Sequence, residues 1–375
     1  VICRKKSAEE WYVGEDAYKY TLVGEGVIVD KLLSLAAKEG TSTIGGVKYG
    51  GMELLQRFLG SILAMVRAEY AGQRIDELVI SLKNLEMKLL EGLTASVEAL
   101  GIPRGNVHIA SHTECFVYYV LNQRRDVWGG HVGMFSLSDE DLRYYELKVT
   151  RGPRQMTAIA EHEELEEGFS LSVLDTGSGA KMADKILCAC GERFLQKKIF
   201  SSIFLTGKGF ARTDWAPEFM RQICNRRRVF VETAIFAKGA AMKAEDYLNE
   251  SGSGSFVCLC EGKLKSTVSL EVMKRDTKTE ISLASAGESW YEARSVVEVI
   301  PDGEKEICFT ITPQQEPKKK RTVKIPLEGF PDRPNKTTKI RVAVGFLDEK
   351  TMVVKLTDQG FGELFPKSLV RELDH

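Results

Sequence analysis

Apolar residues recur at helical spacing in "MELLQRFLGSILAMVRAEY", where Leu55, Phe58, Leu59, Ile62, Leu63 and Val66 share one side of a predicted helix. "DELVISLKN" is a short apolar run of the kind that forms a buried strand. "MKLLEGLTASVEALG" restores the helical period through Leu89, Leu90, Leu93, Val97 and Leu100, with Gly101 as its stop and Pro103 beyond. The alternation continues with a strand in "NVHIA", a helix in "HTECFVYYVLNQ", and three strand-like runs in "HVGMFSLS", "LRYYELKVT" and "RQMTAIAE". A helix follows in "AKMADKILCACGERFLQ", a strand in "KIFSSIFLTG", a helix in "APEFMRQICN", an extended run in "RRVFVE" and a helix in "TAIFAKGAAMKAEDYL". Strands alternating with helices predict an α/β core with a partly parallel sheet.

The pattern changes once. Ser251-Gly252-Ser253-Gly254-Ser255 reads as a flexible linker, which divides the chain into a first domain over 1–250, the linker over 251–255 and a second domain over 256–375. Beyond it, short alternating runs are separated by Gly, Pro, Asp and Asn turns, from "GSFVCLCEG" and "STVSLEVMK" to "TKIRVAVGFL" and "MVVKLTDQG". Eight such strands predict a β-sandwich or barrel with its own core.

With 375 residues there is room for two or three domains, and the net charge of −1 argues against a basic field for nucleic acid. No apolar run approaches a membrane span and no charged-then-apolar leader is read, so a cytoplasmic location is expected. Of the cysteines, Cys188 and Cys190 form one C-x-C pair and Cys258 and Cys260 another. Neither has the C-x-x-C spacing of a zinc ribbon, and reduced thiols are the expectation. Alternate residues on a strand share a face, so Cys258 and Cys260 would be neighbours there, whereas Cys188 and Cys190 would diverge on a helix. Of His108, His112, His131, His162 and His375, the first two stand four apart but fall on a predicted strand and on the helix after it, and no H-E-x-x-H occurs, so no metal centre is predicted. The basic runs "PKKKR" and Arg226-Arg227-Arg228, like the acidic run at 161–167, read as solvated surface.

The candidate chemistry lies in "IFLTGKGFARTDWAPEFM". A strand that ends in small residues and turns into a helix exposes backbone N–H groups, and Gly207 and Gly209 permit the close approach that a phosphate or nucleotide needs. Lys208 does not complete a Walker A loop. Taken in order, the helix, apolar strand, T-G-x-G turn, helix, extended segment and closing A-x-G-A-A helix resemble the adenosine-binding end of the actin and heat-shock-chaperone ATPase superfamily. Gly239, Ala240 and Ala241 match the small patch of its closing helix. "WYVGEDAYKYTL" resembles the V-G-x-x-A segment of the chaperone domain, and "GEGVIVDKLLSL" the D-G-V-I segment of bacterial actin homologues. "KIRVAVGFLDEKTMVVKLTDQGFGE" is similar to a hairpin of the chaperone substrate domain. The resemblance implies an actin-like, ribonuclease-H-like α/β fold with reduced subdomains, followed by a β-sandwich. It also implies adenosine contacts through Gly207, Gly209 and Arg212, with ATP or ADP and Mg²⁺ as the ligand such a site would take.

The family's catalytic parts are largely missing. Its second phosphate hairpin is expected in "HVGMFSLSDEDLRYYEL", where the turn has no glycine and Asp139, Glu140 and Asp141 stand where phosphate would arrive. At about 4 Å and an effective dielectric near 20, each carboxylate–phosphate pair is unfavourable by roughly 4 kcal/mol without a metal. Where the family has E-P-x-A-A, this chain has "SHTECF", leaving Glu114 as a substitute acid beside bulkier residues. "LDTGSGAKMADK" has the D-T-G-S-G form of a phosphate hairpin in the wrong place; it reads as a helix start with Ser178 or Gly179 near the N-cap, or as an anion site on helix amides. The leading expectation is a noncatalytic or weakly nucleotide-binding chaperone-like protein acting through protein–protein contacts, with no catalytic residues and no metal ligands. The alternatives are an active ATP hydrolase whose first phosphate loop lies upstream of Val1, and a filament-forming scaffold. A protein partner or client is expected, with no nucleic acid and no membrane span.

Overall fold

The computed structural model describes residues 1–139, 141–152, 155–196, 198–249, 256–274, 277–365 and 370–374, the last stretch as backbone only. The linker expected at 251–255 lies outside the described residues. Two compact units emerge, one of Val1–Cys115 with Phe236–Gly252, the other of Phe116–Ile235 with Ser253–His375. The chain therefore divides by interleaving.

In the first unit, β1 (Ile2–Lys5), β2 (Trp11–Val13) and, after α1 (Gly14–Leu22), β3 (Gly26–Val29) form an antiparallel sheet in the order β2-β1-β3. Helix α2 (Leu32–Ala37) leads to a hairpin of β4 (Thr41–Ile44) and β5 (Val47–Gly50), and then to α3 (Gly51–Glu69). Strand β6 (Leu78–Leu82), helix α4 (Met87–Ala99) and strand β7 (Val107–Ser111) make a parallel crossover. One face of this strand pair meets Leu59 and Leu63 of α3 and Val97 of α4, while on the other Val79 and Ala110 meet Cys115, Phe236 and Ala240. Cover on both faces is what a parallel pair requires, and it explains why β6 reads as a continuous apolar run. The stripe on α3 is broader than the face it buries: Ile62 and Val66 stay 37% and 38% exposed.

After β7 come α5 (His112–Leu121), β8 (His131–Ser138), β9 (Asp141–Arg151), β10 (Met156–Glu164), α6 (Gly177–Leu195), β11 (Phe200–Thr206), α7 (Pro217–Ile223), β12 (Arg228–Val231) and α8 (Ile235–Leu248). Strands β8, β9 and β10 form an antiparallel meander, to which β11 adds parallel to β8, and β12 parallel to β11. The run "GSFVCLCEG", assigned by its alternation to the second domain, forms β13 (Phe256–Leu259) and pairs in parallel with β10. The sheet order is thus β12-β11-β8-β9-β10-β13. Its core joins Phe135, Leu137 and Tyr144 to Leu187 and Leu195 of α6 and to Phe219 and Ile223 of α7. Asp184, buried within α6, accepts from the N–H groups of Glu218 and Phe219 at 3.0 and 2.8 Å, so one helix satisfies the exposed amides of the next.

The C-terminal region is strand-rich, as the alternation predicts. The order β15-β14-β17-β18 joins β14 (Ser266–Lys274), β15 (Thr277–Ala284), β17 (Glu306–Pro313) and β18 (Arg321–Pro326), with β16 (Ser295–Val299) falling between in the chain. A second sheet, β16-β19-β20-β21, adds β19 (Ile340–Phe346), β20 (Met352–Asp358) and β21 (Val370–Asp374). Both are antiparallel. Alternate residues are buried, such as Ile340, Val342 and Val344 on β19 and Met352, Val354 and Leu356 on β20. Phe361 and Leu364, which follow β20, are 44% and 86% exposed.

Candidate functional site

The T-G-x-G turn follows β11, which lies beside β8 in the sheet. Gly207 adopts φ +90°, a conformation costly for other residues, and a Cβ placed there would stand 2.3 Å from the Leu137 carbonyl oxygen and 2.6 Å from Ser138 Oγ. A Cβ on Gly209 would meet the Leu137 side chain at 2.5 Å. Both glycines are therefore required by close packing against the end of β8, with no ligand invoked. Around them, Phe210 is fully buried, and the Trp215 indole N–H donates to the carbonyls of Gly209 and Arg212 at 3.0 and 2.9 Å. Arg212 points outward and forks onto Asp214, with Nε and Nη2 at 3.1 and 2.7 Å from the carboxylate. That hydrogen-bonded pairing holds the Asp214 carboxyl below its ordinary range and raises Arg212. Gly207, Gly209 and Arg212 thus share one turn, but the guanidinium is engaged by its near neighbour.

The hairpin beside this turn is tight. Register runs through Ser138 opposite Asp141, so the paired strands end two positions apart in the sequence. Asp139 has φ +52°, and its carbonyl accepts from Leu171 N–H at 3.2 Å. Asp141 does not face phosphate unaccompanied: the buried Arg143 donates to it at 3.2 Å and to Glu164 at 2.7 Å. Thr206 Oγ1 is fully buried at this turn without a hydrogen-bond partner, a group that sequence reasoning missed because only packing reveals it. Among the described residues of this turn it is the orphan that a polar ligand would satisfy, but it is enclosed, and the glycines near it already contact protein. The residues present do not fit a triphosphate: the cradle is filled and the hairpin lacks glycine.

In the D-T-G-S-G stretch, the N-cap of α6 is Thr176, two residues earlier than Ser178. Its hydroxyl accepts from Gly179 N–H at 3.2 Å, which occupies one of the amides that an anion would use.

The first unit holds the other candidate. Glu114, in the first turn of α5, is 2% exposed and pairs with Lys243 of α8 at 2.9 Å, the lysine being equally buried. Lys243 also reaches the carbonyl of Ile109 at 3.5 Å. The helices approach closely because Gly239 sits on the backbone of Cys115, where a Cβ would stand 1.9 Å from the carbonyl oxygen. Ala240 is buried beside it, whereas Ala241 is exposed and plays no part in the contact. The small patch therefore works as a close helix crossing, and the acid at position 114 is neutralised from within. Sequence reasoning found Glu114 but not Lys243, whose partner lies more than a hundred positions away in the chain.

Among the described residues, no group of three or more His, Cys, Asp and Glu is placed to hold a metal, and no helix is long and apolar enough to cross a membrane. Mixed α/β units followed by antiparallel sheets define the class. Residues 1–261 match the C-terminal part of a family of unknown function (DUF5716), and 263–371 match a domain of unknown function (DUF8552). The first match covers more than half of the chain, which therefore belongs to the DUF5716 family. The two matches meet just after β13. No curated protein matches the chain.

Proposed function

We propose that this chain is a noncatalytic or weakly nucleotide-binding relative of the actin and heat-shock-chaperone ATPases that acts through protein–protein contacts. The fold side of this reading is supported by the strand order β10-β9-β8-β11-β12, an antiparallel meander extended by two parallel strands from its first member, as a ribonuclease-H-like unit requires. The paired four-stranded sheets that follow are compatible with a substrate-domain-like sandwich.

The observation that carries the noncatalytic reading is the β8–β9 hairpin. Its strands pair to within two residues of each other, and the Asp139 carbonyl is taken up by Leu171. A connection this short and without glycine differs from the glycine-bearing loops whose successive amides take up phosphate. The filled space at Gly207 and the internal pairing of Glu114 point the same way. Protein contact is supported by the exposed side of α3, where Ile62, Met65 and Val66 remain 37%, 57% and 38% exposed at helical spacing.

Titration calorimetry with Mg-ATP and Mg-ADP tests the reading, together with a phosphate-release assay. Weak or no binding and phosphate release at the buffer rate are expected. Hydrolysis well above background that disappears in Gly207→Val would overturn it in favour of a working ATPase. Concentration-dependent polymers in sedimentation would favour a filament instead.

A further inference from the structure

The two C-x-C pairs have the same spacing and different surroundings. On α6, successive residues turn by about 100°, so Cys188 and Cys190 point to different sides. Cys188 Sγ lies 3.9 Å from Asp184 Oδ1, and Cys190 is buried in the core. Burial pushes both thiols up to about 11, away from the reactive thiolate. The second pair converges at the end of β13: Cys258 lies in the strand, Cys260 in the bend just after it, and their Sγ atoms are 3.5 Å apart.

We propose that Cys258 and Cys260 form a reversible intrachain disulfide, a thiol modification site at the end of β13. A soft metal bridging the sulfurs would need further ligands, and among the described residues no cluster of three metal-binding groups exists. Oxidation needs only the pair. Both S–H bonds break and one S–S bond forms; two protons and two electrons pass to a low-molecular-weight disulfide, which leaves as two thiols. The ring so closed spans three residues and is strained, the property of labile rather than structural disulfides. Cys258 and Cys260 are 7% and 1% exposed, so reaction needs a local opening. The site permits one, because β13 has four residues, stands at the sheet edge and, among the described residues, pairs with β10 alone.

The test uses the full chain, reduced and then incubated with oxidised glutathione, alkylated under denaturing conditions, digested and mapped by mass spectrometry. The peptide containing 258 and 260 should lose the mass of two hydrogens, resist alkylation and regain both thiols with dithiothreitol. The peptide containing 188 and 190 should stay fully alkylated, serving as the internal control for spacing without proximity. A 258–260 peptide that remains a dithiol, or that carries glutathione in place of an internal bond, overturns the proposal. So does equal oxidation of the helical pair.

Discussion

Replacing Lys243 by Met removes the cation that faces the Glu114 carboxylate in the interior of the first unit. The two side chains are 3% and 2% exposed and their charged atoms stand 2.9 Å apart. At an effective dielectric near 20 that separation corresponds to a gross attraction of about 6 kcal/mol. Removing both ions from water costs several kcal/mol each, so the intact pair comes out near break-even. The single variant keeps the cost of the buried carboxylate and loses the attraction, and should destabilise the unit by about 3–5 kcal/mol. Adding Glu114→Leu should restore most of this, leaving a coupling energy of about 3 kcal/mol between the two positions. Hydrogen exchange on peptides from β7 and α8 reads the effect inside this unit, so cooperative unfolding of the whole chain need not be assumed. A Lys243→Met variant within about 1 kcal/mol of the parent would refute the reasoning, as would a double variant no better than the single one.

Gly207→Ala combines a positive φ with a Cβ 2.3 Å from the Leu137 carbonyl, and should cost about 2–4 kcal/mol in urea unfolding without nucleotide present. Asp184→Ala removes the acceptor for two amides of α7 and should cost about 1–2 kcal/mol, seen as a lower melting temperature and faster exchange at Glu218 and Phe219. Burial, with the nearby Glu349 carboxylate, lifts Glu261 from the ordinary 4.5 to about 7. Below 4.5 both folded and unfolded chains hold that proton; between 4.5 and about 7 only the folded chain does, so stability falls as pH rises through this window. Discounted for partial exposure, the loss is about 1–2 kcal/mol, and melting temperatures measured across pH should show Glu261→Gln flattening that slope.

Much of the element order was legible because it depends on local periodicity. The runs at 131–164 gave three strands, and the helix and strand that follow were read in the right order. The likeness of Cys258 to Cys260 in facing was also a local matter. What the sequence could not show is settled by partners far along the chain. Alternation identified β13 as a strand but could not say which sheet it joins, and its neighbour β10 begins a hundred residues earlier. Helical spacing on α3 counted Ile62 and Val66 as core, although the face available for burial is narrower than the stripe. At the candidate site, Gly207 and Gly209 were found by composition, but a glycine chosen for a ligand and one chosen for a neighbouring carbonyl look alike until Leu137 is placed beside them. Asp184 gave no signal, since a mid-helix aspartate caps another helix only by virtue of tertiary position.

The placement of β13 decides where the polypeptide can safely be cut. Ending it at the Ser/Gly run would remove β13 and leave the backbone groups of β10 without their neighbour, a ready template for aggregation. Starting a C-terminal piece at 256 would carry along an apolar strand with nothing to join. A division at Gly262, where φ is +85° and the two family matches part, keeps each ladder whole.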